Sequence, residues 1–145
     1  MLSYLAYVVD YRGFMPQNGD SDLDNAAGTV TAAAAEFQRD DWLFLATGGH
    51  NGTEPEGPPS SFFPWAGQMV MRNAWPGSAL APNASADAYW AWMNVGPGAA
   101  ASGHAHEDKL SLCLNAFGRF FLIDSGRFNY NGIDKLAMLF VSGLS

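Results

Sequence analysis

Residues 109–115, KLSLCLN, alternate strictly, with Leu110, Leu112 and Leu114 on one side and Lys109, Ser111, Cys113 and Asn115 on the other. Period two is the mark of a strand with one face turned inward, and it predicts that the leucines are the buried face. AFGR (116–119) reads as a turn, and FFLID (120–124) as the returning strand. GQMVMRNAW (67–75) and DAYWAWMNV (87–95) have the same character: short, rich in aromatic and branched residues, and separated by turn formers. Together these stretches predict an antiparallel sheet. A straight hairpin turned at Phe117–Arg119 places Asp124 opposite Ser111 or Leu112.

The first 47 residues follow another rhythm. Leu2, Leu5, Ala6 and Val9 recur at the spacing of one buried helix face. Gly13, Pro16 and Gly19 interrupt that pattern. The alanine-rich run from about Asp22 to Gln38 suits a second helix. Asp40 or Asp41 can cap a short third one through WLFLAT, with Gly48 as its stop. The turn-rich GGHNGTEPEGPPSS (48–61) reads as a linker. Helices followed by strands predict an α+β chain with a boundary near residues 50–60.

A length of 145 residues fits one domain or parts of two, and 48% hydrophobic residues are enough to build a core. Sixteen glycines and eight prolines favour short elements and many turns. The net charge of −7 argues against a nucleic-acid surface. It leaves room for an anionic small or polymeric substrate, since a few local cations outweigh distant charge under salt screening. No apolar run approaches the ~18 residues of a membrane span. The opening MLSYLAYVVD lacks the basic leader and small-residue cleavage site of a signal peptide. Cys113 is the only cysteine, which excludes an internal disulfide; opposite the leucines, it reads as a small half-buried filler.

Several groups are candidates for chemistry. Asp20, Asp22 and Asp24 imitate the start of a calcium loop, but Asn25 stands at the turn glycine and Thr31 at the bidentate glutamate, so a solvated helix entrance fits better. His50 reads as an exposed loop residue, and the glycosylation-type triplets at Asn51 and Asn83 are too common to decide anything. In an extended chain, His104, His106 and Asp108 project to one side. Two imidazoles and a carboxylate suit a metal site or an acid–base pair, and equally a solvated loop. Asp124, ending an apolar strand, is either a turn former or a ligand presented at a strand end. A straight hairpin would hold it roughly 20 Å from His106. A shared site therefore requires the chain to bend between His106 and Leu110.

PQNGDSD (16–22), FPWAGQMVMRNAW (63–75), NVGPG (94–98), GHAHEDKLSL (103–112) and GRFFLIDSGRFNY (118–130) occur in one order. In that order the chain resembles the heparinase II/III-like polysaccharide lyases, which include alginate and oligoalginate lyases. The resemblance runs from about Arg12 to Gly132, and its most specific part is Gly-His-x-His with the later Asp-x-Gly. It implies a fragment of a longer protein. Residues 1–50 would be the last helices of an (α/α) toroid, 51–60 a linker, and 61–145 the first strands of a truncated antiparallel β-sandwich.

The family cleaves uronic-acid-containing polysaccharides by β-elimination, so the implied partner is an anionic polysaccharide or oligosaccharide. By resemblance His104 is catalytic, while His106 and Asp124 ligate a structural zinc. Arg72 and Tyr130 are candidate substrate contacts, and Asp108 a candidate support behind the zinc ligands. A third zinc ligand downstream of Ser145, and a catalytic tyrosine with its partner upstream of Met1, would complete the machinery, which makes the fragment inactive alone. The full-length protein is expected to be periplasmic or secreted. The rival expectation is a non-catalytic carbohydrate-binding or structural β-sandwich module. Trp65, Trp75, Tyr89, Trp90 and Trp92 bear on that rival, because aromatics can stack on sugars but more often pack a core.

Overall fold

The computed structural model describes residues 2–19, 21–96 and 110–124. Three helices come first: α1 (Leu2–Val8), α2 (Ala27–Phe37) and α3 (Asp40–Ala46). Strands β1 (Ser61–Phe63) and β2 (Gln68–Arg72) follow, then a single helical turn, α4 (Ala84–Asp87). Strands β3 (Trp90–Asn94), β4 (Leu112–Ala116) and β5 (Arg119–Leu122) complete a five-stranded sheet in the order β1-β2-β3-β4-β5, antiparallel throughout. The chain is α+β, as its pattern predicts.

Helix boundaries depart from expectation for local reasons. α2 starts at Ala27 rather than near Asp22, because Asn25 bridges Phe14 and its side-chain oxygen accepts from the Ala27 N–H. Neither Asp40 nor Asp41 caps α3. The cap position is Arg39, with no side-chain cap bond, and both aspartates lie in the first turn. Carboxylates there still face the positive end of the helix. Asp41 is further engaged by the Arg39 guanidinium at 2.8 and 2.6 Å and by the Tyr7 hydroxyl at 3.2 Å. Arg39 holds the Asp41 carboxyl below the usual range. α4 was not foreseen, although its Asn83 side chain accepts from Ala86 N in the usual capping manner. His50 is exposed in a bend, as expected.

The β4–β5 hairpin closes through Phe117 and Gly118, both at positive φ (50° and 73°). That pair of conformations makes the tight turn whose twist matches flanking strands, and glycine adopts it without strain. The register pairs Leu114 with Leu122, with an irregularity at Leu114/Asn115, so Asp124 comes to the level of Leu112. This is where hairpin arithmetic put it. β1 was not anticipated; it lies at the end of the turn-rich stretch.

Paired residues across an antiparallel ladder share a face, and this fixes the two sides of the sheet. Val70, Trp90, Trp92 and Cys113 form one core cluster with Val8 of α1. Asn115 lies on that same face, 1% exposed, and donates to Asp10 at 2.5 Å. The other face carries two rows, Phe62–Met69–Met93–Leu112 and Met71–Ala91–Leu114–Leu122. The expectation that the leucines are the buried side is therefore reversed. Cys113 and Asn115 face the helices, Leu112 and Leu114 are half-buried on the outer face, and Leu110 is 68% exposed.

The helices and sheet share this core rather than meeting across a loose tether. Residues 48–60 have no helix or strand and are mostly exposed, but are tied down at points: Trp75 Nε1 donates to the Gly57 carbonyl, and Gly49 lies against the backbone of Pro76 and Gly77.

Candidate functional site

One end of the sheet gathers the polar groups. β3 pairs with β4 beyond its formal limits, since Leu110 N donates to Asn94 O at 2.7 Å and Asn94 N to Ser111 O at 3.1 Å. The β1–β2 turn, the exit of β3, the entrance of β4 and the end of β5 thus lie together. Residues 16–19 lean against this end. The Asn94 amide donates to Asn18 Oδ1 at 3.1 Å, and the Cys113 thiol donates to the Gln17 carbonyl at 3.6 Å. Asn94 Oδ1 also accepts from Gly96 N, fixing the first residues after β3.

Asp124 stands here. It is only 7% exposed, and Ser111 Oγ donates to its Oδ2 at 3.1 Å. A carboxylate this deep needs compensating partners. The neighbouring Cys113 thiol is pushed up from its ordinary pKa by burial, and the Asp124 charge pushes in the same direction. It stays protonated at neutral pH, in keeping with a packing role rather than that of a nucleophile.

Arg72, the candidate substrate contact, lies away from this end of the sheet. It occupies the opposite end of β2 from Gln68, and its guanidinium donates to the carbonyls of Tyr7 (2.8 Å), Val9 (2.7 Å) and Pro59 (3.1 Å). These groups belong to the C-terminal end of α1 and to the segment before β1, so its charge ties both to the sheet. Burial lowers its pKa to about 10, which leaves it charged at neutral pH.

His104, His106, Asp108 and Tyr130 lie outside the described residues, as does Asp20. The connection that carries the two histidines leaves the sheet after Gly96 and returns at Leu110, at the end where Asp124 sits. Asn18, Asn94 and Ser111 were not singled out from the sequence. Asn94 carried a signal: it is in phase with Trp90 and Trp92, so a polar group continues an apolar face.

For a metal, Asp124 offers a buried carboxylate of the kind zinc accepts. Among the described residues no group of three His, Cys, Asp or Glu side chains could hold an ion, so any such site draws its other ligands from elsewhere. A separate cleft of about 360 Å³ is lined by Tyr7, Arg39, Asp41, Thr53, Glu54 and Glu56, among others. Its carboxylates suit an anionic saccharide poorly. No described helix is long and apolar enough to cross a membrane.

Residues 55–141, more than half of the chain, match the family described as heparinase II/III-like, C-terminal. No curated protein matches the chain in sequence. Among solved structures, a heparinase III superposes with a TM-score of 0.79 at 21% identity, covering 99% of this chain and 22% of its own. Heparan sulfate lyase HepC from Pedobacter heparinus gives 0.78 at 22% identity, covering 98% and 22%. A further heparinase III gives 0.70 at 17% identity, covering 97% and 24%. The chain thus spans about a fifth of the length of the first two of these structures. The likeness establishes the fold, and the sheet corresponds to the C-terminal β-sandwich region of these proteins. By the match over 55–141, this chain belongs to the heparinase II/III-like family.

Proposed function

We propose that the chain is part of a polysaccharide lyase that cleaves a uronic-acid-containing polysaccharide by β-elimination. Beyond family membership, one observation supports this reading: a buried aspartate, Asp124, stands at the sheet end from which the His104–His106 connection leaves and to which it returns. In such a reaction a base removes the proton beside the sugar carboxylate and an acid assists the leaving oxygen. The developing negative charge must be met by hydrogen-bonding or positive groups. His104 would face the substrate in that role. His106 and Asp124 would hold zinc, which when bound pins the connection to the end of β5 and so positions His104. Ser111 would orient the Asp124 carboxylate. Tyr130 would contact the saccharide, and Asp108 would support the ligands. The helices before residue 50 would be the end of an (α/α) toroid that supplies the remaining acid–base groups. A polymeric substrate of this kind would place the full-length protein in the periplasm or outside the cell.

The test uses the full-length parent protein with heparan-type and alginate-type polymers. Unsaturated uronate products should appear as a rise in ultraviolet absorbance. His104→Ala should lower the rate at least 100-fold, an effect of the order known for groups that stabilise developing charge. It should keep zinc content and melting temperature. His106→Ala should lose zinc and melting temperature together, because metal binding is linked to folding. No product from any uronate polymer would favour the non-catalytic module. Zinc loss in His104→Ala with retention in His106→Ala would reverse the two roles.

A further inference from the structure

The five tryptophans divide sharply. Trp42, Trp75, Trp90 and Trp92 are buried, whereas Trp65 is 72% exposed. A lone exposed tryptophan gains nothing from core packing, so its position decides its meaning. Trp65 sits in the turn between β1 and β2, at the sheet end that holds Asn94, Ser111 and Asp124. The turn is closed by Ala66 N donating to Phe63 O at 3.0 Å and Gly67 N to Pro64 O at 3.3 Å. Val95 N donates to Gly67 O at 2.6 Å. A Cβ at Gly67, where φ is +62°, would collide with the Gly96 backbone. The turn is therefore seated directly on the chain that leads into the histidine-bearing connection.

The ring itself is braced from beneath. Tyr4 meets it at 5.3 Å between centroids and Phe63 at 6.4 Å, both edge to face, and Tyr4 packs on Phe63 at 5.0 Å. Tyr4 is in turn fixed by its hydroxyl, which donates to Gln68 Oε1. This three-ring cluster limits the freedom of Trp65, so little ordering is needed when a ligand lands on it.

We infer that Trp65 is a stacking platform for one pyranose ring of an acidic oligosaccharide, at a position removed from the bond that is cut. The inference rests on the lyase reading for the identity of the saccharide. A sugar presents an apolar C–H face that lies on an indole ring, while its carboxylate and hydroxyl groups remain in water. At ~4.8 Å per strand, the β1–β2 turn, midway between its two strands, is about 12 Å from β4 and about 17 Å from β5. A sugar ring seated on Trp65 is therefore a different unit of the chain from one seated at Asp124. Trp65 would accordingly select for chain length.

The experiment is isothermal titration of the full-length protein carrying His104→Ala, so that the ligand is not degraded, with uronate disaccharide and hexasaccharide of heparan and alginate type. Trp65→Ala should weaken hexasaccharide binding about three- to tenfold, the size of a single aromatic stacking contact. Disaccharide binding and melting temperature should be unchanged, and Trp65→Tyr should restore most of the affinity. Unchanged hexasaccharide affinity in Trp65→Ala would overturn the inference, as would equal weakening of both lengths or a failure of the starting protein to bind either saccharide. Cleavage by the unaltered protein is measured separately. Trp65-dependent binding without any cleavage would sustain the platform and remove the lyase reading. Cleavage with Trp65-independent binding would do the reverse.

Discussion

Asn115 shows what one side chain can decide. It lies among Trp90, Trp92 and Cys113 on the helix-facing side of the sheet, where an amide looks misplaced until its partner is seen. Its amide donates to Asp10, which also accepts from the backbone N–H groups of Arg12 and Phe14 and from the Arg12 guanidinium. The buried carboxylate is thus neutralised from the chain just after α1 and from β4 together. Asn115→Leu would make β4 more apolar, yet it should destabilise the protein by about 1–3 kcal/mol, because a buried acceptor loses a donor. Chemical denaturation of the full-length protein checks this; a stability gain would refute it. The same residue explains why the alternation in KLSLCLN was legible while its direction was not. Both faces of the sheet are largely apolar, so period two fixes which residues lie together but not which set meets the helices. The Asp10–Asn115 bond, between residues far apart in sequence, made that choice.

The elements themselves were readable wherever pattern or turn chemistry was strong. Helices α1 and α3, strands β2 to β5 and the Phe117–Gly118 turn all fall where periodicity and glycine placed them. What escaped was set by tertiary contact. β1 exists because Ser61, Phe62 and Phe63 pair with β2, and its three residues carry no periodicity to detect. The bonds that Arg72 makes were equally out of reach of pattern reading, because they fasten α1 to the sheet across more than sixty positions of sequence. Its planar fork reaches Tyr7 and Val9 carbonyls at the helix end, where backbone acceptors lack intrahelical partners. Arg72→Met should therefore lower stability by about 2–4 kcal/mol, with charged donors withdrawn from buried carbonyls. Arg72→Lys should recover only part of it, since an ammonium cannot reproduce the fork. Under the proposed lyase reading, the Michaelis constant of the full-length protein should stay unchanged. A raised Michaelis constant at unchanged stability would return Arg72 to the substrate.

At the scale of the molecule, the candidate site was legible only as a set of names. Asp124 could be placed by counting along a hairpin, and the structure agrees with the count. The contribution of residues 16–19 could not be counted, because Asn18 and Asn94 are 76 positions apart. The asymmetry of the sheet likewise appears only in three dimensions. One side is sealed by α1, while on the other Phe62 and Leu122 are exposed and Met69, Met71, Met93, Leu112 and Leu114 are half-buried. A sandwich meets such a face with a second sheet about 10 Å away. Expressed alone, residues 1–145 should consequently self-associate. Sedimentation should show mass rising with concentration, and Leu114→Lys should suppress it. A strictly monomeric chain at all concentrations would mean that this face is already closed.

Three of the residues on that open side are methionines. Thioethers fill irregular contacts well because they are flexible and polarisable. They are also readily converted to sulfoxides by peroxide, and a sulfoxide is polar and chiral where the thioether was neither. Met69 and Met93 are direct cross-strand neighbours, and Met71 follows on the same side of β2. Oxygen added at any one of them would be felt by the next. This face would then become a record of oxidative exposure, with damage recorded first as a loss of adhesion while the buried Asp124 end of the sheet remained intact.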